Sequence, residues 1–313
     1  MAETLVIAVG GNALIEDPHH VSVPAQYRAA RHAAESLGGL AAAGHRLAVV
    51  HGNGPQVGFI LRRAELARGV LHDVPLDSCV ADTQGALGYN LQMALDNEME
   101  ARGLDRRAAA VVSQVEVDPD DPAFSAPSKP IGGFMDAEEA ARRRDEKGWD
   151  VAEDAGRGWR RVVPSPDPKS ILEFPVIRTL VEAGVITVAV GGGGIPVMKT
   201  PGGEWTGVAA VIDKDKAASL LARQLGADRL VISTAVPRVY LDYGTPKQRA
   251  VDVLRVSEAR ALAAEGQFAP GSMLPKIEAM AAFVEATGNE GIITDPPRLT
   301  GALEGRAGTR IVP

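Results

Sequence analysis

Two patterns of hydrophobic residues alternate along the first hundred residues of the chain. Short runs of valine, isoleucine, leucine and alanine are apolar at nearly every position, as in parallel strands buried on both faces. Between them lie longer alanine-rich stretches with helical spacing. The predicted strands cover residues 4–9, 46–50 and 108–112, and the predicted helices cover residues 24–43, 56–68 and 79–100. This order predicts an α/β fold with a mostly parallel central sheet sandwiched by helices.

The alternation stops between residues 116 and 170, where proline, glycine and charged residues dominate. So long an irregular insertion is uncommon inside a compact domain. Trp149, Trp159 and the patterned segment 127–133 supply anchors within it. We therefore expect a small projecting subdomain rather than a disordered linker.

The second half of the chain returns to α/β alternation. A hairpin is predicted at 195–205, with its turn at Pro201-Gly202-Gly203. The predicted strands are 185–190, 208–212, 230–233 and 291–294, and the predicted helices are 170–183, 215–225, 257–265 and 275–286. We place a boundary near Gly207, which gives an N-terminal lobe of residues 1–207 and a C-terminal lobe of residues 208–313.

Composition narrows the class of protein. The 313 residues are 45% hydrophobic, enough for full cores, and a net charge of −7 argues against a nucleic-acid partner. The single cysteine, Cys79, cannot form an internal disulfide, and neither a leader nor an apolar segment long enough to cross a membrane is apparent. We expect a cytoplasmic protein with small-molecule ligands and no membrane partner.

Glycine-rich turns follow three of the predicted strands. They are Gly10-Gly11-Asn12, His51-Gly52-Asn53-Gly54 and Gly191-Gly192-Gly193-Gly194. Each alone is compatible with an ordinary βα turn. Together, at the carboxyl ends of strands, they indicate an anion pocket built from backbone N–H groups. His51 is expected to be a satisfied strand-end histidine rather than a base.

Familiar nucleotide and metal signatures are missing. No Gly-Lys dipeptide occurs, which excludes a Walker-type P-loop. The glycines after His51 are wrongly spaced for a dinucleotide turn, and Pro55 lacks an N–H, so a dehydrogenase is a weak alternative. One cysteine and six scattered histidines give no zinc ligand set, and no metal-ligating residues are predicted.

Lysine is scarce in this chain, with eight among 33 basic residues. Lys214 lies between Asp213, a predicted N-cap, and Asp215, at a helix start where the helix dipole disfavours cations. A bound anion such as phosphate would explain Lys214, whereas Lys216 is expected to point into water.

Two further lysines are candidates. Lys276 follows Pro275 in the first turn of another predicted helix, again a cation at a helix start. Lys129 lies on the projecting segment, where a lid could bring it over a ligand. From its sequence context alone, Lys129 could equally be a solvated surface residue.

Eight ordered blocks resemble the amino acid kinase family and, within it, the carbamate kinase branch. They are residues 9–14, 51–58, 84–89, 129–132, 160–163, 191–197, 210–215 and 271–276, and the resemblance covers nearly the whole chain. It implies an αβα fold and a homodimer of two-lobed subunits. The N-terminal lobe would bind carbamoyl phosphate and the C-terminal lobe Mg²⁺ with ADP or ATP. The implied reaction is reversible phosphoryl transfer that yields ATP and carbamate, which breaks down to ammonia and CO₂.

The resemblance also implies roles for individual residues. Lys214 would bridge the transferring phosphoryl, Lys276 would approach from the nucleotide side and Asp215 would orient both. Relatives acting on acetylglutamate carry a lysine where this chain has Ala8, and Lys129 would replace that cation. The residues implied to bind carbamoyl phosphate are Gly10, Gly11, Asn12, Gly52, Asn53, Gly54, Gly192 and Gly193. Those implied to bind nucleotide are Asp213, Lys214, Ala235, Tyr240, Met273 and Lys276.

Alternatives remain at this point. The protein could phosphorylate another carboxylate, such as acetylglutamate or aspartate, although Ala8 and the long insertion argue against this. It could also be a catalytically idle sensor of carbamoyl phosphate or nucleotide. Ala235 and Pro237 depart from the family pattern near the implied nucleotide site, which leaves nucleotide affinity in doubt.

Overall fold

The computed structural model describes residues 2–10, 22–154 and 158–313. The strands in chain order are β1 (Thr4–Val9), β2 (Arg46–His51), β3 (Ala108–Ala110), β4 (Gln114–Val117), β5 (Lys129–Met135), β6 (Val151–Glu153), β7 (Trp159–Val163), β8 (Pro168–Ile171), β9 (Ile186–Val188), β10 (Ile195–Lys199), β11 (Trp205–Gly207), β12 (Arg229–Ser233), β13 (Val239–Leu241), β14 (Arg249–Val251), β15 (Val253–Arg255), β16 (Gly291–Thr294) and β17 (Thr309–Val312).

The helices of the described residues are α1 (Val23–Ala42), α2 (Gly54–Leu66), α3 (Leu76–Ala101), α4 (Ala137–Lys147), α5 (Phe174–Glu182), α6 (Lys214–Leu225), α7 (Val256–Ala264), α8 (Met273–Thr287) and α9 (Leu299–Leu303). Within the described ranges, no helix is long and apolar enough to span a membrane.

Eight strands form the central sheet, in the order β15-β17-β16-β12-β1-β2-β9-β3. Its pairings are parallel except for β16 with β17. The mostly parallel α/β fold predicted from the sequence is confirmed. Strands that precede Gly207 make up one half of the sheet and strands that follow it make up the other. The division into two lobes at this residue stays a prediction.

Helices cover both faces of the sheet because the strands are apolar on both sides. Within β1, Val6 and Ala8 belong to a core shared with α6 and α8, whereas Leu5 and Ile7 belong to a core shared with α1 and α3. This alternation explains why β1 lacks a polar face: all six of its residues are buried.

The segment between residues 116 and 170 is largely built from short strands and one helix. An antiparallel sheet in the order β5-β7-β6, together with α4, forms what we call the projecting subdomain, residues 129–154 and 158–163. Trp149 anchors it, with the guanidinium groups of Arg143 and Arg161 at 5.1 and 4.8 Å from its ring centre. A second sheet, β11-β10-β4-β8, includes the predicted hairpin.

Two of the predicted elements are displaced or missing in the structure. Residues 170 and 171 end strand β8, and the predicted helix at 170–183 begins only at Phe174, followed by Pro175 in its first turn. The predicted strand at 208–212 is wrong. This segment is irregular: Val208 N–H donates to Pro196 O and Val211 N–H to Pro164 O, both at 3.0 Å. Its residues are apolar because they are mostly buried, not because they pair in a sheet.

Candidate active site

The three glycine-rich turns follow β1, β2 and β9, which are successive neighbours in the central sheet. Because these strands are parallel, their carboxyl ends meet at one edge. The second and third turns pack directly against each other. A Cβ on Gly191 would lie 2.2 Å from His51 Nε2, and one on Gly192 would lie 2.5 Å from Asn53 Nδ2. Glycine is therefore required where the turns meet.

A cavity of about 150 Å³ opens at this edge of the sheet. It lies between the second and third glycine turns, the projecting subdomain and the starts of α6 and α8. The predicted site residues among its lining are Gly52, Asn53, Gly54, Lys129, Gly192, Asp213, Lys214, Asp215 and Lys276. Gly11 and Asn12 lie outside the described residues.

Asp213 holds one side of the cavity together. It is the N-cap of α6, and its Oδ1 accepts hydrogen bonds from the backbone N–H groups of Asp215 at 2.9 Å and Lys216 at 3.4 Å. Its Oδ2 accepts a hydrogen bond from Lys129 Nζ at 2.5 Å. One carboxylate thus starts a helix of the core and holds the lysine of the projecting subdomain over the cavity.

Asp215 brings two lysines together. Its side chain is buried, and its two oxygens accept hydrogen bonds from different amines. Lys214 Nζ donates to Oδ1 at 2.7 Å and Lys276 Nζ donates to Oδ2 at 3.0 Å. These lysines come from the first turns of α6 and α8, 62 positions apart along the chain. Their amines converge on one carboxylate beside the cavity, which is an arrangement suited to gripping an anion.

Burial and neighbouring opposite charges have opposing effects on the pKa values of these groups. Burial tends to raise the pKa values of Asp213 and Asp215, but nearby lysines outweigh it and hold both below the usual range. Burial tends to lower the pKa of Lys214, but Asp215 and Asp213 outweigh it and raise that pKa. Burial also lowers the pKa of Lys276, and the neighbouring Lys214 lowers it further. Together they outweigh Asp215 and Asp213, which tend to raise it.

At neutral pH both carboxylates are ionised because their pKa values are lowered. The amine of Lys214 is protonated because its pKa is raised. Three lysine side chains, Lys129, Lys214 and Lys276, thus meet only two carboxylates, those of Asp213 and Asp215. This excess of basic over acidic side chains suits an anionic ligand.

Asn53 supplies a second indication of a ligand. Its side chain is 6% exposed, and Nδ2 has no hydrogen-bond partner among the described residues. A buried amide donor left without a partner costs about 1–3 kcal/mol. Since Asn53 lines the cavity, a bound acceptor oxygen would satisfy it. Directly after it, α2 begins at Gly54, whose helix start adds partial positive charge.

Other predicted site residues lie outside the cavity lining. Gly10 N–H donates to Ser233 O at 3.1 Å, and a Cβ on Gly193 would lie 2.4 Å from Ile212 O. Three predicted nucleotide residues are elsewhere: Ala235 after β12, Tyr240 in β13 and Met273 at the start of α8. Their ligand roles stay predictions.

Two expectations about neighbouring residues have clear outcomes. His51 is a satisfied strand-end residue, as predicted: it is 1% exposed, and Nδ1 lies 3.0 Å from Gly52 O. The expectation that Lys216 points into water is wrong, because its Nζ donates to Asp167 Oδ1 at 2.5 Å. Asp167 is far away in sequence, so this pairing was hidden from local reasoning.

Gln84 in α3 is a residue whose role the sequence analysis missed. Its buried amide donates to Gly191 O at 2.9 Å and Ser113 O at 3.1 Å, and it accepts from Ser113 N–H at 2.8 Å. These hydrogen bonds therefore tie the third glycine turn to α3 and hold it in place. The sequence does contain a sign of this role, since an amide side chain lies between Val80 and Leu87 on a mostly apolar face of α3.

Comparisons with known proteins place the chain in a family. The model of the amino acid kinase family matches residues 3–295. A "Carbamate kinase-like protein YahI" of Escherichia coli is 46% identical, with 100% of this chain and 99% of that protein covered. A "Carbamate kinase" of Staphylococcus epidermidis is 45% identical, with 98% of each covered. The solved "Carbamate kinase from Giardia lamblia bound to AMP-PNP" is 41% identical, covers 99% of this chain and 98% of its own, and has a TM-score of 0.91. The chain belongs to the amino acid kinase family.

Proposed function

We propose that this protein is a carbamate kinase, which transfers a phosphoryl group reversibly between carbamoyl phosphate and ADP to give ATP and carbamate. Relatives that bear this name are 43–45% identical over 98–100% of this chain. A neighbour with AMP-PNP bound, 41% identical, supports a nucleotide substrate. Phosphotransfer to a carboxyl-type acceptor is the reaction class of the family that these relatives represent.

One observation carries the assignment of the site: Lys214 and Lys276 meet on Asp215, while Lys129 reaches the same cavity through Asp213. Phosphoryl transfer places developing negative charge on oxygens that lie between two anionic groups. Ammonium groups held in place before the reaction stabilise that charge most effectively. The cluster provides them.

The reaction requires little proton chemistry. Carbamate is an anion at neutral pH, so its oxygen attacks the γ-phosphorus of ATP without a general base. A P–O bond to carbamate forms while the P–O bond to ADP breaks, and the reverse direction makes ATP. The protein's task is to hold two anions in line and to neutralise the phosphoryl that moves between them.

Each lysine has its own part in this proposal. Lys214 contacts the transferring phosphoryl, Lys276 reaches it from the nucleotide side, and Asp215 orients both amines. Lys129 binds the carbamoyl phosphate end. The glycine turns cradle the same end, with Asn53 Nδ2 as a donor to the substrate.

Mg²⁺ is proposed to enter with the nucleotide. No group of three or more histidine, cysteine or acidic residues that could hold a metal occurs among the described residues. The carboxylates of Asp213 and Asp215 are already bound by lysines. Nucleotide phosphates and water supply the oxygens that Mg²⁺ prefers, with few protein ligands needed. The ion would neutralise charge on the phosphates.

The proposal includes a homodimer in the cytoplasm. β3 is an outer strand of the central sheet, and the exposed side chains of Tyr89 and Val112 lie near it. Side chains of α3 already accept hydrogen bonds from the N–H groups of Ala108 and Ala110 in β3, so the candidate subunit contact is the pair of large exposed apolar side chains beside this strand. The single cysteine, Cys79, suits a reducing compartment.

The decisive experiment mixes the protein with carbamoyl phosphate and Mg-ADP and follows the formation of ATP. We expect ATP in proportion to enzyme. Tight binding of both ligands without ATP would instead favour a sensor. Faster consumption of ATP with acetylglutamate or aspartate than with carbamate would favour a kinase of another carboxylate.

A further inference from the structure

Helix α2 and strand β5 approach each other unusually closely at Gly58 and Gly132. A Cβ added to Gly58 would lie 2.2 Å from Gly132 Cα and 2.4 Å from Gly132 N. Real Cβ atoms do not come this close to other heavy atoms, and the atoms in the way are backbone rather than a side chain that could rotate aside. Any larger residue at Gly58 must therefore push β5 away from α2.

The register of β5 with β7 shifts between Ile131 and Met135, but Gly132 within this irregular stretch is held by specific contacts. Gly132 has a φ of +72°, a left-handed conformation that favours glycine. Its carbonyl oxygen accepts hydrogen bonds from Arg160 Nε at 3.2 Å and Nη2 at 3.0 Å, and Arg160 belongs to β7. Val57 of α2 and Ile131 of β5 are buried in one apolar cluster beside the contact. A displacement at Gly132 is therefore transmitted along β5.

Both elements lead directly into the candidate active site. α2 begins immediately after Gly52 and Asn53, which line the cavity. β5 begins at Lys129, which lines the cavity from the other side and binds Asp213. The spacing between the second glycine turn and the Lys129 amine is consequently set by the packing of α2 against β5.

We propose that Gly58 is a positioning residue for Lys129. Because Gly58 has no side chain, the projecting subdomain packs close to α2, and Lys129 reaches the carbamoyl phosphate end of the cavity. This inference rests on the proposed role of Lys129. Lys214 and Lys276 belong to elements outside the α2–β5 contact. Their amines are held by Asp215 rather than by Asp213, so we expect the nucleotide end of the site to change far less than the Lys129 end when Gly58 is replaced.

The test is the kinetics of Gly58→Ala. Because misplacement by about 1 Å can cost up to a hundredfold, we expect KM for carbamoyl phosphate to rise about ten- to a hundredfold. KM for ADP should stay unchanged. The matched control is Gly39→Ala in α1, where the added Cβ would meet Thr300 Oγ1 at an ordinary 3.6 Å. That control should have wild-type kinetics.

A double-mutant cycle separates positioning from general damage. If Gly58 acts through Lys129, then Gly58→Ala combined with Lys129→Ala should be no more impaired than Lys129→Ala alone. Should Gly58→Ala fail to fold, Arg160→Ala provides a second route, because it removes the hydrogen bonds to Gly132 O. It should raise the same KM and be equally silent in the Lys129→Ala background.

Three results would overturn the inference. They are unchanged kinetics of Gly58→Ala, an equal rise in both KM values, or effects of Gly58→Ala and Lys129→Ala that multiply. If Lys129→Ala alone has wild-type kinetics, the proposed role of Lys129 fails, and this inference fails with it. If Lys129→Ala is impaired and Gly58→Ala is not, only the positioning role is lost.

Discussion

Asp215 is the residue on which the site depends most. A fully buried carboxylate is costly unless it is paired, and Asp215 is paired twice, with Lys214 and Lys276. Each oxygen has its own partner, so neither lysine can move without leaving a charge unpaired. The amines are therefore held in position before a ligand arrives.

Removing either amine should impair turnover strongly. Lys214→Ala and Lys276→Ala should each lower kcat about 10²–10³-fold, because each deletes a preorganised charge that faces the transferring phosphoryl. The measurement is ATP formation at saturating carbamoyl phosphate and Mg-ADP. Lys169→Ala is the control, since Lys169 pairs with Asp118 on the surface. A folded variant of Lys214 or Lys276 with near-normal turnover would contradict the assignment.

His51 should make stability dependent on pH. Burial lowers the pKa of His51 to about 4, opposed by its hydrogen bond to Gly52, whereas an unfolded histidine titrates near 6.5. Between these values only the unfolded chain takes up the proton, so the free energy of unfolding falls as the pH drops from 6.5 towards 4. At about 1.4 kcal/mol per pH unit, the full loss is about 3 kcal/mol.

Urea unfolding at several pH values measures this dependence. His51→Gln should lose less stability than the wild type between pH 6.5 and pH 4.5, whatever its absolute stability. His72→Gln, at an exposed position, should keep the wild-type slope. Parallel slopes for wild type and His51→Gln would show that another group is responsible.

The individual lysines were predictable, but most of their partners were not. Lys214, Lys276 and Lys129 stand out because lysine is scarce here and two of them occupy helix starts. The bonds of Lys129 to Asp213 and of Lys216 to Asp167 join residues 84 and 49 positions apart. Local sequence contains no information about such distant pairs, and their geometry depends on how the subdomain folds back.

At the scale of elements, the start of α6 combines two functions in Asp213. One oxygen caps the helix and the other binds Lys129. Asparagine can replace the cap but not the charge, whereas alanine replaces neither. The two substitutions therefore separate helix stabilisation from the ion pair.

Asp213→Ala should be about 1 kcal/mol less stable than Asp213→Asn, the typical worth of an N-cap hydrogen bond. Chemical denaturation of both variants measures the difference. Asp136 is a matched control, since its Oδ1 caps α4 through Glu139 N–H at 2.8 Å. Its Ala and Asn variants should differ similarly in stability without changing activity. Equal stability of the two Asp213 variants would mean that the cap contributes nothing.

Long periodic elements were predicted well and short ones poorly. α1, α3 and α8 agree with prediction to within a few residues because each repeats its apolar spacing over several turns. β5, β6 and β7 were not predicted as strands, since β5 contains a proline and two glycines, β6 has only three residues, and all three are partly exposed and paired only with each other. Residues 208–212 were wrongly predicted as a strand because they are apolar. Buried positions favour apolar residues whether or not their backbone pairs in a sheet.

At the scale of the whole molecule, the exposed apolar side chains beside β3 are the candidate subunit contact. Tyr89 and Val112 are 61% and 58% exposed. A Cβ on Gly88 would lie 3.0 Å from Ala110 Cβ, so α3 passes close to β3 just where Tyr89 projects. Burying such side chains against a second copy would favour association.

Light scattering should give a mass about twice the 32.8 kDa of the chain. Tyr89→Glu should shift the protein towards monomer, because a charge would be buried in the contact. Tyr243→Glu, at an equally exposed tyrosine away from β3, should leave the mass unchanged. A wild-type mass of one chain would rule out the dimer, and an unaltered mass for Tyr89→Glu would move the contact elsewhere.

The pairing of β1 with β12 also affects how the chain is made. Leu5 lies beside Arg229 and Val9 beside Ser233, so the first strand acquires one of its neighbours only after most of the polypeptide has left the ribosome. Until then β1 offers an open row of main-chain donors and acceptors to other nascent chains. Biosynthesis of this protein therefore includes a long interval in which its innermost strand is exposed to mispairing.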